Sequence, residues 1–231
     1  MTQGYRAKVR GRASIHAMGG MMRTGKTFSG GGYVLLALGL VLSACASQAN
    51  GDASGWYDGN GGLAPKANRI YVCHGFGCAY KTPVDFSASD LKRLQRILGK
   101  GSSSPAAERR AIAKAVAWQE KRVSAPVGSA KDVGGFDMHN AGVRGQMDCI
   151  DESTNTNSLL LVAQKNGYLK HHSASSPVAR GFFLDGRYPH ATATVREKRT
   201  GTVYAVDSWP LANGHPPRIS ELSVWMQRRA G

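Results

Sequence analysis

Four cysteines stand at positions 45, 73, 78 and 149 of the 231-residue chain, and their surroundings point to different chemistries. Cys149 lies at the start of a predicted helix, in Asp148-Cys149-Ile150-Asp151. There the helix dipole and free N–H groups favour a thiolate. Asp148, Asp151 and Glu152 act the other way, because nearby negative charge raises a thiol pKa. A nucleophile at Cys149 therefore needs a cationic partner such as imidazolium. Among His74, His139, His171, His172, His190 and His215, the best placed is His190. It heads the strand-like run His190-Ala191-Thr192-Ala193-Thr194-Val195, and a strand fixes a ring better than a loop does. The next strand-like run, Val203-Tyr204-Ala205-Val206-Asp207, ends in an acid. A turn at Arg199-Thr200-Gly201 makes the two runs antiparallel neighbours, which sets Asp207 beside His190. Together they form a Cys–His–Asp set in which the base takes the thiol proton and the acid holds the base. Such a thiol is expected to react fast with iodoacetamide, and His190→Ala to abolish that reaction.

Taken singly, each residue has a plainer reading. His190 fits a hydrogen-bonded strand residue, Asp207-Ser208 a turn cap, and Cys149 a core side chain. It is their joint order, on suitable elements, that favours the triad. That order, with an acid two residues after the cysteine (Asp151), resembles the transglutaminase-like superfamily, and most nearly its bacterial transglutaminase-like cysteine peptidases. The resemblance covers roughly residues 140–210. It implies a papain-like α+β core and acyl transfer through a thioester, to water or to an amine, with no cofactor. Ile150 departs from the acid often found directly after the cysteine in that group. Beyond the Cys149 backbone N–H, Gln146 is the weak choice for an oxyanion donor. The superfamily also contains inactive members that only bind, so an envelope protein holding peptidoglycan or a protein partner is the alternative function.

The other cysteines bear on location. Residues 1–44 carry Arg6, Lys8, Arg10, Arg12, Arg23 and Lys26 and no acid, followed by the apolar run Tyr33 to Leu42. Basic, apolar and small-residue regions in that order read as a secretory signal. The run is shorter than the ~20 residues a membrane span needs. Leu42-Ser43-Ala44-Cys45 resembles the bacterial lipobox, with Cys45 as the acylated residue. The alternative is an ordinary cleaved signal. Ala46 rather than Asp after the cysteine favours the periplasmic side of the outer membrane by resemblance to known sorting rules. Cys73 and Cys78 flank a glycine-rich turn, Cys73-His74-Gly75-Phe76-Gly77-Cys78. In an exported chain a disulfide is favoured over a metal site or free thiols. No second ligand pair at zinc spacing supports a metal.

The elements that must position these groups follow from pattern. Residues 45–69 are rich in Gly, Ala, Ser and Asn and read as a flexible tether. The folded domain is expected over 70–231. Ile70–Cys73 is strand-like. Helices are expected from Ser87 or Ser89 to Gly99, from Ser104-Pro105 through Val116, and from Asp148-Cys149 to Asn166-Gly167. Residues 124–145 read as loop, and His171-His172 as a solvated loop pair. Gly181–Leu184, Tyr188–Glu197 and Thr202–Ser208 read as strands, Phe182-Phe183 as core on one side and groove on the other, and Arg218–Arg229 as a last helix. Helices first and a meander afterwards give an α+β class.

Composition supports this. With 42% hydrophobic residues the chain can bury a core. The net charge of +15 invites a nucleic-acid reading. Cleavage before Cys45 removes six of the basic charges, however, and the rest are scattered among acids. No motif that reads bases or stacks on them is present. Expected partners are a peptide, protein or peptidoglycan substrate and, through a lipid, the membrane.

Overall fold

The computed structural model describes residues 52–181 and 188–228. The signal region, Cys45, Phe182-Phe183 and Asp185-Gly186 lie outside them. Among the described residues the chain is α+β. Its elements in order are α1 (Ser54–Gly59), β1 (Arg69–His74), β2 (Tyr80–Asp85), α2 (Ala88–Gly99), α3 (Pro105–Val127), α4 (Cys149–Lys165), β3 (His172–Arg180), β4 (His190–Glu197), β5 (Val203–Asp207), β6 (Arg218–Glu221) and α5 (Leu222–Gln227). Strands β3-β4-β5-β6 form one antiparallel sheet and β1-β2 a separate hairpin. No described helix is long and apolar enough to cross a membrane.

The helix starts follow their caps. Ser87 and Asp90 form a reciprocal capping box on α2. Ser104 caps α3 ahead of Pro105, and Gly128 ends it at φ 83°, a conformation that favours glycine. Asp148 and Asp151 form the capping box of α4. Leu94 and Leu98 of α2, Ile112 and Val116 of α3, Leu159, Leu160 and Val162 of α4, and Ala193 and Val195 of β4 meet in one apolar core.

α4 is unusual because much of its buried surface is polar: Ser153, Thr154, Thr156, Asn157 and Ser158 are all buried. Buried polar groups must be paired, and these are. Ser153 and Thr154 donate to the Ile150 carbonyl. Asn155 spans to the backbone of Cys73, accepting its N–H and donating to its C=O. Asn157 donates to the Ser175 carbonyl and Thr194 to the Ser176 carbonyl, where β3 shifts register against β4 between Ser175 and Val178. Side chains thus take up carbonyls at the irregularity.

Several expectations need correction. Residues 54–69 are not a free tether. α1 lies there, Tyr57 is 2% exposed and its hydroxyl bonds Asn157 and Ser158, and the Trp56 indole donates to Thr154. The flexible-tether reading treated glycine content as freedom and missed two aromatic anchors. α3 runs on to Val127, past the expected start of the loop. His172 is fully buried rather than solvated, because its ring bonds the buried carboxylate of Glu108. Arg218–Arg229 is not one helix: its first residues extend the sheet as β6, and only Leu222–Gln227 is helical.

Candidate active site

Register brings the expected acid and base together. Ala193 pairs with Val206 across β4 and β5, and Arg196 with Val203. Continuing by one residue puts Asp207 opposite Thr192, with His190 two residues along on the same face. The carboxylate receives the ring: His190 Nε2 lies 2.9 Å from each Asp207 oxygen. A third residue fixes the pair. The Trp225 indole N–H donates to Asp207 Oδ2 at 2.8 Å from a fully buried position on α5. The imidazole is further boxed in by Trp209, 4.6 Å between ring centroids, and by Trp225 at 5.3 Å.

The other ring nitrogen carries the chemical potential of the site. His190 Nδ1 is buried and has no hydrogen-bond partner. With Nε2 oriented by a carboxylate, the proton of the neutral ring resides at Nε2 and Nδ1 is the basic lone pair. Cys149 sits close by in the fold, since the backbone N–H of Ala191, the residue following His190, donates to its sulfur. No Cys149–His190 hydrogen bond forms in this structure.

The thiol rests protonated. Burial pushes Cys149 up to about 12, and the Asp148 carboxylate adds to this. The Ala191 N–H pulls the other way but does not win. Burial thus outweighs the thiolate-favouring helix start.

Gln146 is not placed as an oxyanion donor. Its side-chain oxygen accepts from Val133 and Asn140, and its amide donates to the Lys131 carbonyl, so it braces the loop before α4. Asp148 caps the Asp151 N–H, while the Cys149 N–H, the first of the helix, lies against its own sulfur.

Asp151, the acid two residues after Cys149, ties two elements together. Its carboxylate accepts from the backbone N–H groups of Phe76, Cys78 and Asp148, tying the β1–β2 turn to the start of α4. Cys73 and Cys78 in that turn are disulfide-bonded. Gly75, Phe76, Gly77 and Cys78 all take positive φ, so the bond and the carboxylate together hold a loop that two of its residues resist. Cys73, Cys78 and Asp151 cluster at metal-ligand distance, but with the two sulfurs bonded to each other they offer no thiolates.

Beside the His190–Asp207 pair opens a cleft of about 490 Å³, walled by Phe136, Tyr188 and Trp209. The Tyr188 and Trp209 rings stack at 11°, and Phe136 meets Tyr188 edge-on. Trp209 therefore serves the site as well as packing. Sequence reasoning missed Trp225, the Ala191 N–H and the cleft arginines. The Asp207-Ser208-Trp209 run held one usable signal, an aromatic next to the acid; nothing in local spacing announced Trp225. No family model, no curated protein and no solved structure matches this chain.

Proposed function

We propose that this protein is a cell-envelope thiol enzyme that cleaves or transfers acyl groups at peptide or amide bonds, on a transglutaminase-like, papain-like core. The observation that carries the reading is the His190 ring: Nε2 is anchored by Asp207 while the buried Nδ1 has no partner. Nδ1 takes the Cys149 proton as sulfur attacks the substrate carbonyl, and the tetrahedral oxyanion forms against the Cys149 N–H. The imidazolium, stabilised by Asp207, returns that proton to the leaving amine. A thioester remains on Cys149. Water or an acceptor amine then gives a proton to Nδ1 and attacks the thioester. The resulting imidazolium reprotonates the departing thiolate, and the free enzyme is restored. The envelope reading rests on residues 1–45 and is supported by the Cys73–Cys78 bond, which suits an oxidising compartment.

A second reading has its own support. A thiol raised to about 12, with no bond to His190, fits a protein that keeps the fold but only binds peptidoglycan or a protein partner. p-Nitrophenyl acetate separates the two. An enzyme releases a burst of nitrophenolate and carries an acetyl group on Cys149 by mass spectrometry, and Cys149→Ala and His190→Ala both lose the burst. Equal release by wild type and Cys149→Ala overturns the enzyme reading.

A further inference from the structure

The cleft beside His190 is basic in a way the acyl-transfer chemistry does not require. Arg180, Arg218 and Arg228 line it, against a single described acid, Asp207. That acid is already committed to His190 and to Trp225. Arg218 stands directly across from Asp207 in the β5–β6 register, which puts it on the same face of the sheet as the triad acid. Yet it forms no ion pair with Asp207 or with any other described carboxylate, and neither does Arg228. Both are exposed at the mouth. Arg180 is buried deeper, bonded to the Arg228 carbonyl and lying 4.5 Å over the Trp225 ring. Guanidinium groups converging on a concave, partly apolar site are suited to a carboxylate, which they bind in a planar, two-pronged way. The aromatic wall of Phe136, Tyr188 and Trp209 accepts the chain that carries it.

We infer that this cleft binds a carboxylate carried by the peptide substrate, held by Arg218 and Arg228 next to the bond that faces Cys149. The inference rests on the acyl-transfer reading for what lies beside His190, but its test is binding and needs no turnover. Two sources offer the same chemistry: a free peptide C-terminus and an acidic side chain.

The experiment uses the full chain carrying Cys149→Ala and three probes: acetyl-tetraalanine with a free C-terminus, the same peptide amidated, and the amidated peptide with Glu as its last residue. Binding is read from the fluorescence of Trp209 and checked by calorimetry. At least one carboxylate probe is expected to bind tenfold or more tighter than the neutral amide. Which of the two does so identifies the source. Arg218→Gln with Arg228→Gln removes that preference while melting as the parent does, since both side chains are exposed. Arg93→Gln with Lys121→Gln, on a separate basic surface, leaves the preference unchanged and so excludes general attraction to a cationic protein. Equal binding of all three probes, or a preference that survives loss of both arginines, overturns the inference. Failure of the acyl-enzyme test with carboxylate binding intact removes the catalytic reading alone. Turnover of neutral amides with no carboxylate preference removes this inference alone.

Discussion

At the scale of single residues, the site is set by where one proton sits. Asp207 and Trp225 hold the His190 ring by Nε2 and leave Nδ1 without a partner, while burial and Asp148 keep the proton on Cys149. The two halves can be weighed separately. Asp148→Asn removes a charge that raises the thiol but keeps an oxygen for the helix cap, as Asn caps well. Its alkylation profile with iodoacetamide is expected to move to lower pH than that of the wild type; an unchanged profile refutes a charge effect from Asp148. On the base side, Asp207→Asn is expected to slow acyl-enzyme formation by about a hundredfold or more, the usual scale of a positioned base. Trp225→Phe keeps the ring but deletes the N–H that steadies the carboxylate, so a smaller loss of the same rate is expected, with the ester KM unchanged. A rise in KM alone would assign Trp225 to binding instead.

At the scale of elements, the nucleophile is only as well placed as the first turn of α4. That turn is held by its own capping box and by Asp151 reaching across to Phe76 and Cys78. Replacing both Cys73 and Cys78 by Ala releases a short loop, worth about 2 kcal/mol in chain-entropy terms. Because Asp151 then loses ordered donors, acyl transfer is expected to fall more than stability alone explains, at temperatures well below melting. A variant that melts lower but acylates at the wild-type rate refutes this link. The same elements show what a sequence can and cannot disclose. The His190–Asp207 pairing was legible because a short turn at residues 199–201 fixes the register of neighbouring strands. Caps at Ser87, Ser104 and Asp148 were legible because they are local. β2 was not: it is one strand of an isolated hairpin, with Pro83 at its centre, and its burial alternates only through its partner. Nor was β3, whose His-Ser-Ala-Ser-Ser-Pro run has little strand propensity and is extended because the buried β4 pairs with it. The bonds from Asp151 to Phe76 and Cys78 were not legible either, because those partners lie more than seventy residues away.

At the scale of the whole molecule, buried carboxylates beneath the site make stability depend on pH in an unusual direction. Burial pushes Asp132 up to about 8, and it raises Glu120, Asp151 and Glu152 as well. Each of these acids lies near another, so mutual repulsion adds to desolvation. In the unfolded chain all four ionise near pH 4. Between that value and their folded values the native state holds more protons than the unfolded one, so stability falls as pH rises. Groups held below their ordinary values oppose this at acid pH, Glu108 and His74 among them. Glu108 is lowered, chiefly through its bonds to His172 and the following backbone, and His74 is lowered by burial. Glu108 has finished titrating in either state well below pH 6.5, and His74, whose ordinary value is 6.5, has done so about one unit above that value. The raised Cys149 thiol acts in the same sense as the acids at the alkaline end. The melting temperature is therefore expected to drop steadily from about pH 7.5 to about pH 9. Asp132→Asn keeps an acceptor for the Met147 N–H and cannot ionise, so it is expected to flatten that slope and to raise stability most at the alkaline end. A melting temperature that rises over this range, or an Asp132→Asn slope identical to the wild type, would contradict the buried-acid account. The consequence for function is that a protein built this way holds its site best in mildly acidic surroundings. Burial raises the Cys149 thiol to about 12, so acylation is expected to gain rate with pH while the fold beneath it loosens. Activity measured at fixed temperature should then peak and decline below the melting transition of the wild type, and Asp132→Asn should carry the declining limb to higher pH.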